Sequence, residues 1–267
     1  MEPNEKPEAS TDLAVQLISS SDKGNYFLVY DLKDGKVVKK FNLEKKVTVL
    51  KNWPSIFELL EVECPPNLVK SLLINVYDIP EEVASFPVWF GCLRKFGDLF
   101  GYEPVISTTF DITTYTTELL LAKKEGRSYE IGDHVIFARY LAMPYVDLCL
   151  MKKQEFGWDV LDTGFVKVDN LSNFKEFLIK NSIKADQLNK IPANPNAEYL
   201  ELYGEYILRI YAGEEYANDY DCFVGNVCFG KYELVCGNST IVLPIQFKRL
   251  PFTVKKKLKI TNCKEIK

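Results

Sequence analysis

Leu72-Leu73-Ile74-Asn75-Val76-Tyr77 is the stretch on which the fold class turns. It is a nearly continuous apolar run, which suits a strand buried on both faces of a helix-flanked sheet. Helix punctuation follows it. Ser85 can cap, Pro87 sits in the first turn and Gly101 closes the segment. Between them Trp89, Leu93, Phe96 and Phe100 recur every three or four residues and make one apolar face. Val105-Ile106-Ser107-Thr108-Thr109-Phe110 predicts the next strand. Upstream, Phe57, Leu59, Leu60 and Val62 predict a short helix that stops before Pro65-Pro66. Further back, Tyr26-Phe27-Leu28-Val29-Tyr30 and Val37-Val38 flank Asp34-Gly35. That dipeptide supplies the positive backbone angles of a tight turn, so a hairpin is expected.

Past residue 111 the signals change. Residues 112–125 are ambiguous, because the threonines favour a strand while Leu119-Leu120-Leu121-Ala122-Lys123-Lys124 before Gly126 favours a helix. His134 to Ala142, Tyr145 to Lys152 and Trp158 to Val168 are rich in β-branched and aromatic residues and predict hairpin strands. Ser172 opens a helical pattern of Phe174, Phe177, Leu178 and Leu188. Ile191-Pro192-Ala193-Asn194-Pro195-Asn196 has the composition of a boundary. After it, Tyr206 to Tyr211, Phe223 to Leu234, Ile241 to Phe247 and Leu258 to Ile260 all suggest strands. The expectation is an α/β part over residues 13–190 and an all-β, sandwich-like part over 191–267, behind a loose polar tail at 1–12.

Composition narrows the function classes. Of 267 residues, 47% are hydrophobic and 26% charged, and the 17 Phe, 15 Tyr and 3 Trp can fill a core, so bulk disorder is excluded. No apolar run reaches the roughly 18 residues of a membrane helix. Met1-Glu2-Pro3-Asn4-Glu5-Lys6 does not open a signal peptide, so a cytoplasmic location is expected. Seven cysteines, Cys64, Cys92, Cys149, Cys222, Cys228, Cys236 and Cys263, contain no Cys-x-x-Cys pair and are expected to be reduced and buried. The spacing Cys222-x5-Cys228-x7-Cys236 fits no zinc pattern, so no metal is expected.

Chemistry is equally sparse. The single histidine, His134, stands at the mouth of a strand, where a locally bonded turn histidine is a better account than a catalytic base. Neither Gly-x-Gly-x-x-Gly nor Gly-Lys-Ser/Thr occurs. Catalytic residues are therefore expected to be absent. Lys248 to Lys267 hold eight basic residues and one acid. Following Pro251-Phe252-Thr253-Val254, the lysines suit a protected edge strand better than a nucleic-acid patch, since no stacking motif accompanies them. Neither a membrane nor nucleic acid is an expected partner.

In element order and in three residue strings, the chain resembles the 70-kDa heat-shock (DnaK-type) chaperone family. Leu72 to Gly101 and then Tyr102-Glu103-Pro104-Val105 are similar to a strand, helix and turn in the second half of its ATPase domain. Val135 to Leu150 is similar in position and pattern to its phosphate hairpin. Ile207-Leu208-Arg209-Ile210-Tyr211-Ala212-Gly213-Glu214-Glu215, with Phe223 to Asn226 and Phe229 to Leu234, resembles strands of its peptide-binding β-sandwich. The resemblance implies a degenerate actin-like ATPase half-domain followed by that sandwich, and a protein that binds unfolded peptide or a protein partner.

Departures from the family bear on nucleotide. Where it has a glycine cluster that lets backbone approach phosphates, this chain has Arg139, Tyr140, Leu141, Ala142, Met143 and Pro144. The phosphate-loop positions are thus degenerate, and loss of ATP binding and hydrolysis is implied, with no cofactor. ATP enters only under an alternative in which a divergent module holds it by an unfamiliar loop. A further alternative sets the resemblance aside and takes the chain as an α+β interaction or scaffold protein. An exposed cluster among Trp89, Phe96, Phe100 and Trp158 would favour it.

Overall fold

The computed structural model describes residues 12–20, 23–76, 80, 82–83, 86–142, 145–167, 171–180, 188–191, 196–217, 219–225, 233–236 and 239–242. The chain divides into two compact units, residues 1–117 with 194–220 and residues 118–193 with 221–267. Both are mixed α/β.

In the first unit, β1 (Leu13–Ser20), β2 (Gly24–Asp31) and β3 (Val37–Asn42) form an antiparallel meander. Helix α1 (Trp53–Glu63) then leads to β4 (Val69–Asn75), which pairs parallel with β1 on its other side. Helix α2 (Phe86–Phe100) leads on to β5 (Val105–Ser107), parallel to β4. The sheet order is β3-β2-β1-β4-β5. As expected, the Leu72–Ile74 run is buried on both faces. One face carries Val15, Leu17, Phe27, Val29, Leu72 and Ile74 against α1 and α2. Here Trp53 meets Trp89 edge-on at 4.9 Å, and Phe57 stacks with Phe96 and Phe100. Trp89 is fully buried, and Phe96 and Phe100 pack against this core, so these three make no exposed cluster.

The other face is polar at its centre. It packs on α5 (Ala197–Ala212), whose N-cap Asn196 accepts from the Tyr199 N–H. The Gln16 amide donates to Asn75 Oδ1 at 2.7 Å and to the Leu200 carbonyl at 2.8 Å, and it accepts from the Tyr30 hydroxyl. Ser71 donates to the Leu208 carbonyl. Gly204 permits this approach, since a methyl there would overlap the Gln16 amide.

Helix α5 corrects the sequence expectation most sharply. Tyr206 to Tyr211 are helical, not a sandwich strand, because Leu200, Tyr203, Ile207 and Leu208 recur at helical spacing and bury one face on β1 and β4. The most specific string of the heat-shock resemblance therefore has the wrong secondary structure. Beyond it, β10 (Glu233–Cys236) and β11 (Ser239–Val242) form a hairpin. The expected strands over 243–247 and 258–260, the basic tail and the tail at 1–11 lie outside the described residues.

The ambiguous segment is a helix, α3 (Phe110–Lys124). Its threonines are accommodated by back-bonding: Thr114 donates to the Phe110 carbonyl and Thr117 to that of Thr113.

In the second unit, β6 (His134–Ala142), β7 (Tyr145–Gln154) and β8 (Gly157–Lys167) repeat the antiparallel meander. Helix α4 (Leu171–Lys180) then leads to β9 (Leu188–Ile191), parallel to β6. The order β8-β7-β6-β9 reproduces β3-β2-β1-β4 strand for strand. One face packs Ile136, Ala138, Val146, Leu148, Leu150 and Val166 around Phe177 of α4. Among the described residues no helix is long and apolar enough to cross a membrane.

Candidate functional site

The second sheet carries two features on the face opposite α4. The first lies toward the β6–β7 turn, where Arg139, Tyr140, Leu141 and Ala142 end β6. Met143 and Pro144 lie outside the described residues. Ala142 pairs with Tyr145, and β6 and β7 run antiparallel as the expected hairpin strands. Arg139 faces Asp147 across the strands, and its Nη2 donates to Asp147 Oδ2 at 2.6 Å. The pair is mostly buried, so its charges compensate each other. Next in the same cross-strand row stands Phe165, paired with Asp147. Phe165 is 63% exposed and Tyr145 is 40% exposed, and their rings stack at 5.0 Å and 18°.

The second feature is a recess of about 100 Å³ near the other end of that face. It begins with the end of α3. There Gly126, at φ +84°, and Arg127 donate back to the Lys123 and Ala122 carbonyls, which turns the chain so that Arg127, Ser128 and Tyr129 line the recess. Lys153 of β7 and Trp158 of β8 line it from the sheet. Their shared face follows from a bulge: Leu150 pairs with Asp162 but Met151 with Val160, so Leu161 is an extra residue. Every side chain of β8 before it changes face as a result. Trp158, 1% exposed, thereby lands opposite Lys153 and edge-on to Tyr129 at 5.1 Å.

Asp221 completes the recess. Its carbonyl accepts from Lys153 Nζ at 2.6 Å and from Trp158 Nε1 at 2.8 Å. Its carboxylate takes Lys123 at 2.8 Å and Lys153 at 3.2 Å. The hydrogen bond from Lys123, then that from Lys153, holds the Asp221 carboxyl below its ordinary range. The Trp158 backbone N–H donates to the Phe223 carbonyl. Gly157 is needed here, because its φ is +78° and a Cβ would run into that carbonyl.

His134 opens β6 opposite Lys152, half-buried. Among the described residues no group of three His, Cys, Asp or Glu could hold a metal ion. Lys123, Arg127, Lys153 and Asp221 carried no motif in the sequence. The signals that could have found them were a lysine inside an apolar strand and the Gly126 helix stop.

No protein-family model and no curated protein matches the chain. Among solved structures it is similar to YeaZ from Pseudomonas aeruginosa, at 11% identity and a TM-score of 0.31, over 58% of this chain and 68% of that one. It is also similar to an uncharacterized protein with similarity to peptidase YEAZ from Pseudomonas aeruginosa, at 10% identity and a TM-score of 0.36, over 76% and 94% of the two chains. At these scores neither likeness bears on function. The heat-shock resemblance is corrected by the fold: the string that most suggested a peptide-binding sandwich lies in helix α5. A chaperone role and a grip on unfolded peptide are withdrawn with it.

Proposed function

We propose that the protein is a non-enzymatic interaction module, built as a duplicated actin-like unit, and that it binds a folded protein partner. The repeated order, a three-strand meander with a fourth strand parallel on the far side of the first, supports the actin-like class. The observation that carries the interaction is the stacked, exposed Tyr145–Phe165 pair on an otherwise buried sheet face. Two aromatic rings held in register on adjacent strands cost little entropy to dock, and aromatic anchors dominate protein interfaces. Arg139 and Asp147 beside them neutralise each other and keep the patch free of net charge. Trp158, whose exposure together with Trp89, Phe96 and Phe100 would have favoured a surface cluster, is core.

Site-specific photocrosslinking in the native cell tests this. A benzoylphenylalanine at position 165 is expected to give one discrete adduct, and the same probe at exposed Val62 of α1 none. An identical smear from both positions, or no adduct at 165, would sink the proposal.

A further inference from the structure

We propose that the recess between the end of α3 and the start of β8 binds the phosphate group of a small phosphomonoester. Three cations line it, Lys123, Arg127 and Lys153, against one carboxylate, Asp221. Glu125 reaches Arg127 at 3.3 Å but does not line the recess. The negative end of α3 offsets about half a charge more, and its last carbonyls already accept from Gly126 and Arg127. A positive excess remains around a space that could hold several waters.

The geometry favours a phosphate over a carboxylate ligand. The Lys153 side chain is only 6% exposed and is fixed by the Asp221 carbonyl and carboxylate, so its charge sits at the floor at no further ordering cost. The Lys123 and Arg127 side chains are each about half exposed and can supply donors from the rim. The Ser128 hydroxyl is a neutral donor in the same wall. A guanidinium beside two ammonium groups matches three acceptor oxygens, which a monocarboxylate does not offer. The Tyr129–Trp158 pair forms an aromatic wall on which the ester group of the ligand can rest. This site lies within the second unit and owes nothing to the Tyr145–Phe165 patch, so either can fail without the other.

Inorganic phosphate and phenyl phosphate, each against chloride at constant ionic strength, are the probes. The readouts are melting temperature and the fluorescence change that is lost in Trp158→Phe. Saturable binding of both is expected, with a rise of about 2–4 °C at saturation. Arg127→Ala should weaken phosphate at least tenfold while leaving the ligand-free melting temperature unchanged. Lys124→Ala, which alters an exposed lysine outside the recess, should change nothing. Phenyl phosphate binding several-fold tighter than phosphate would assign the site to an esterified ligand, and equal affinity would assign it to free phosphate. A response matched by chloride, or one that Lys124→Ala reduces as much as Arg127→Ala, would overturn the proposal.

Discussion

The two sheets share a strand order and differ in how they are covered. In the first unit both faces of β1 and β4 are closed, one by the aromatic core under α1 and α2, the other by the polar seam under α5. In the second unit α4 closes one face, while the opposite face leaves two stacked aromatics and a cationic recess open. A duplicated topology does not imply duplicated duty. The unit with both faces closed has the burial of a scaffold, and chemistry or contact is left to the unit whose second face is only partly filled.

That contrast can be broken by mutation, and the expected effects run from large to small. Leu17→Ala, at the fully buried centre of β1, should cost about 3–4 kcal/mol in urea unfolding. A cost below 1 kcal/mol would mean the first sheet is less closed than its burial indicates. Gly204→Ala should cost about 2 kcal/mol, because its methyl must displace the Gln16 amide and leave buried polar groups unpaired. Pairing it with Gln16→Leu should restore part of the loss if the seam is the cause.

In the second unit the effects shrink. The Asp221 carboxyl titrates below its unfolded value, so its contribution is present above about pH 4 and is lost as pH falls through the lower folded value. Asp221→Asn should therefore cost about 0.5 kcal/mol at pH 7 and progressively less as pH falls below about 4, since half of this side chain is in water. An unfolding series against pH that stays parallel to wild type would show that the lysine contacts carry no stability. Phe165→Ser should change stability by less than about 0.5 kcal/mol while abolishing the crosslink pattern of a probe placed at Tyr145. A large loss of stability would place Phe165 among the core residues.

Legibility in the sequence followed local signal strength. The Leu72–Ile74 run, the apolar periodicity of α2 and the three strands from His134 onward stood out because one local pattern determined each. β1 escaped notice, since Gln16 interrupts its apolar run and only the buried seam explains a glutamine there. α5 was misjudged because Tyr-Ile-Leu-Arg-Ile-Tyr has strand propensities, and tertiary burial of its helical face overrode them. The Asn196 cap stands in a Pro- and Asn-rich stretch whose composition equally fits a linker. Single residues of the recess left a local trace, but their grouping did not, because Lys123, Lys153 and Asp221 are brought together from three distant segments. Nor does composition reveal which face Trp158 takes, since one extra residue in the strand decides it.

That extra residue, Leu161, also interrupts a long strand edge. Among the described residues β8 is the outer strand of its sheet, eleven residues long and bearing an exposed phenylalanine, the features of a template for fibrillar stacking. The bulge breaks the regular spacing of its outward amides, and Val224 caps the stretch at Trp158 by a single parallel bridge. Deleting Leu161 would leave the pairing with β7 intact and make the edge regular. The shortened chain should fold, and then precipitate at concentrations the natural one tolerates.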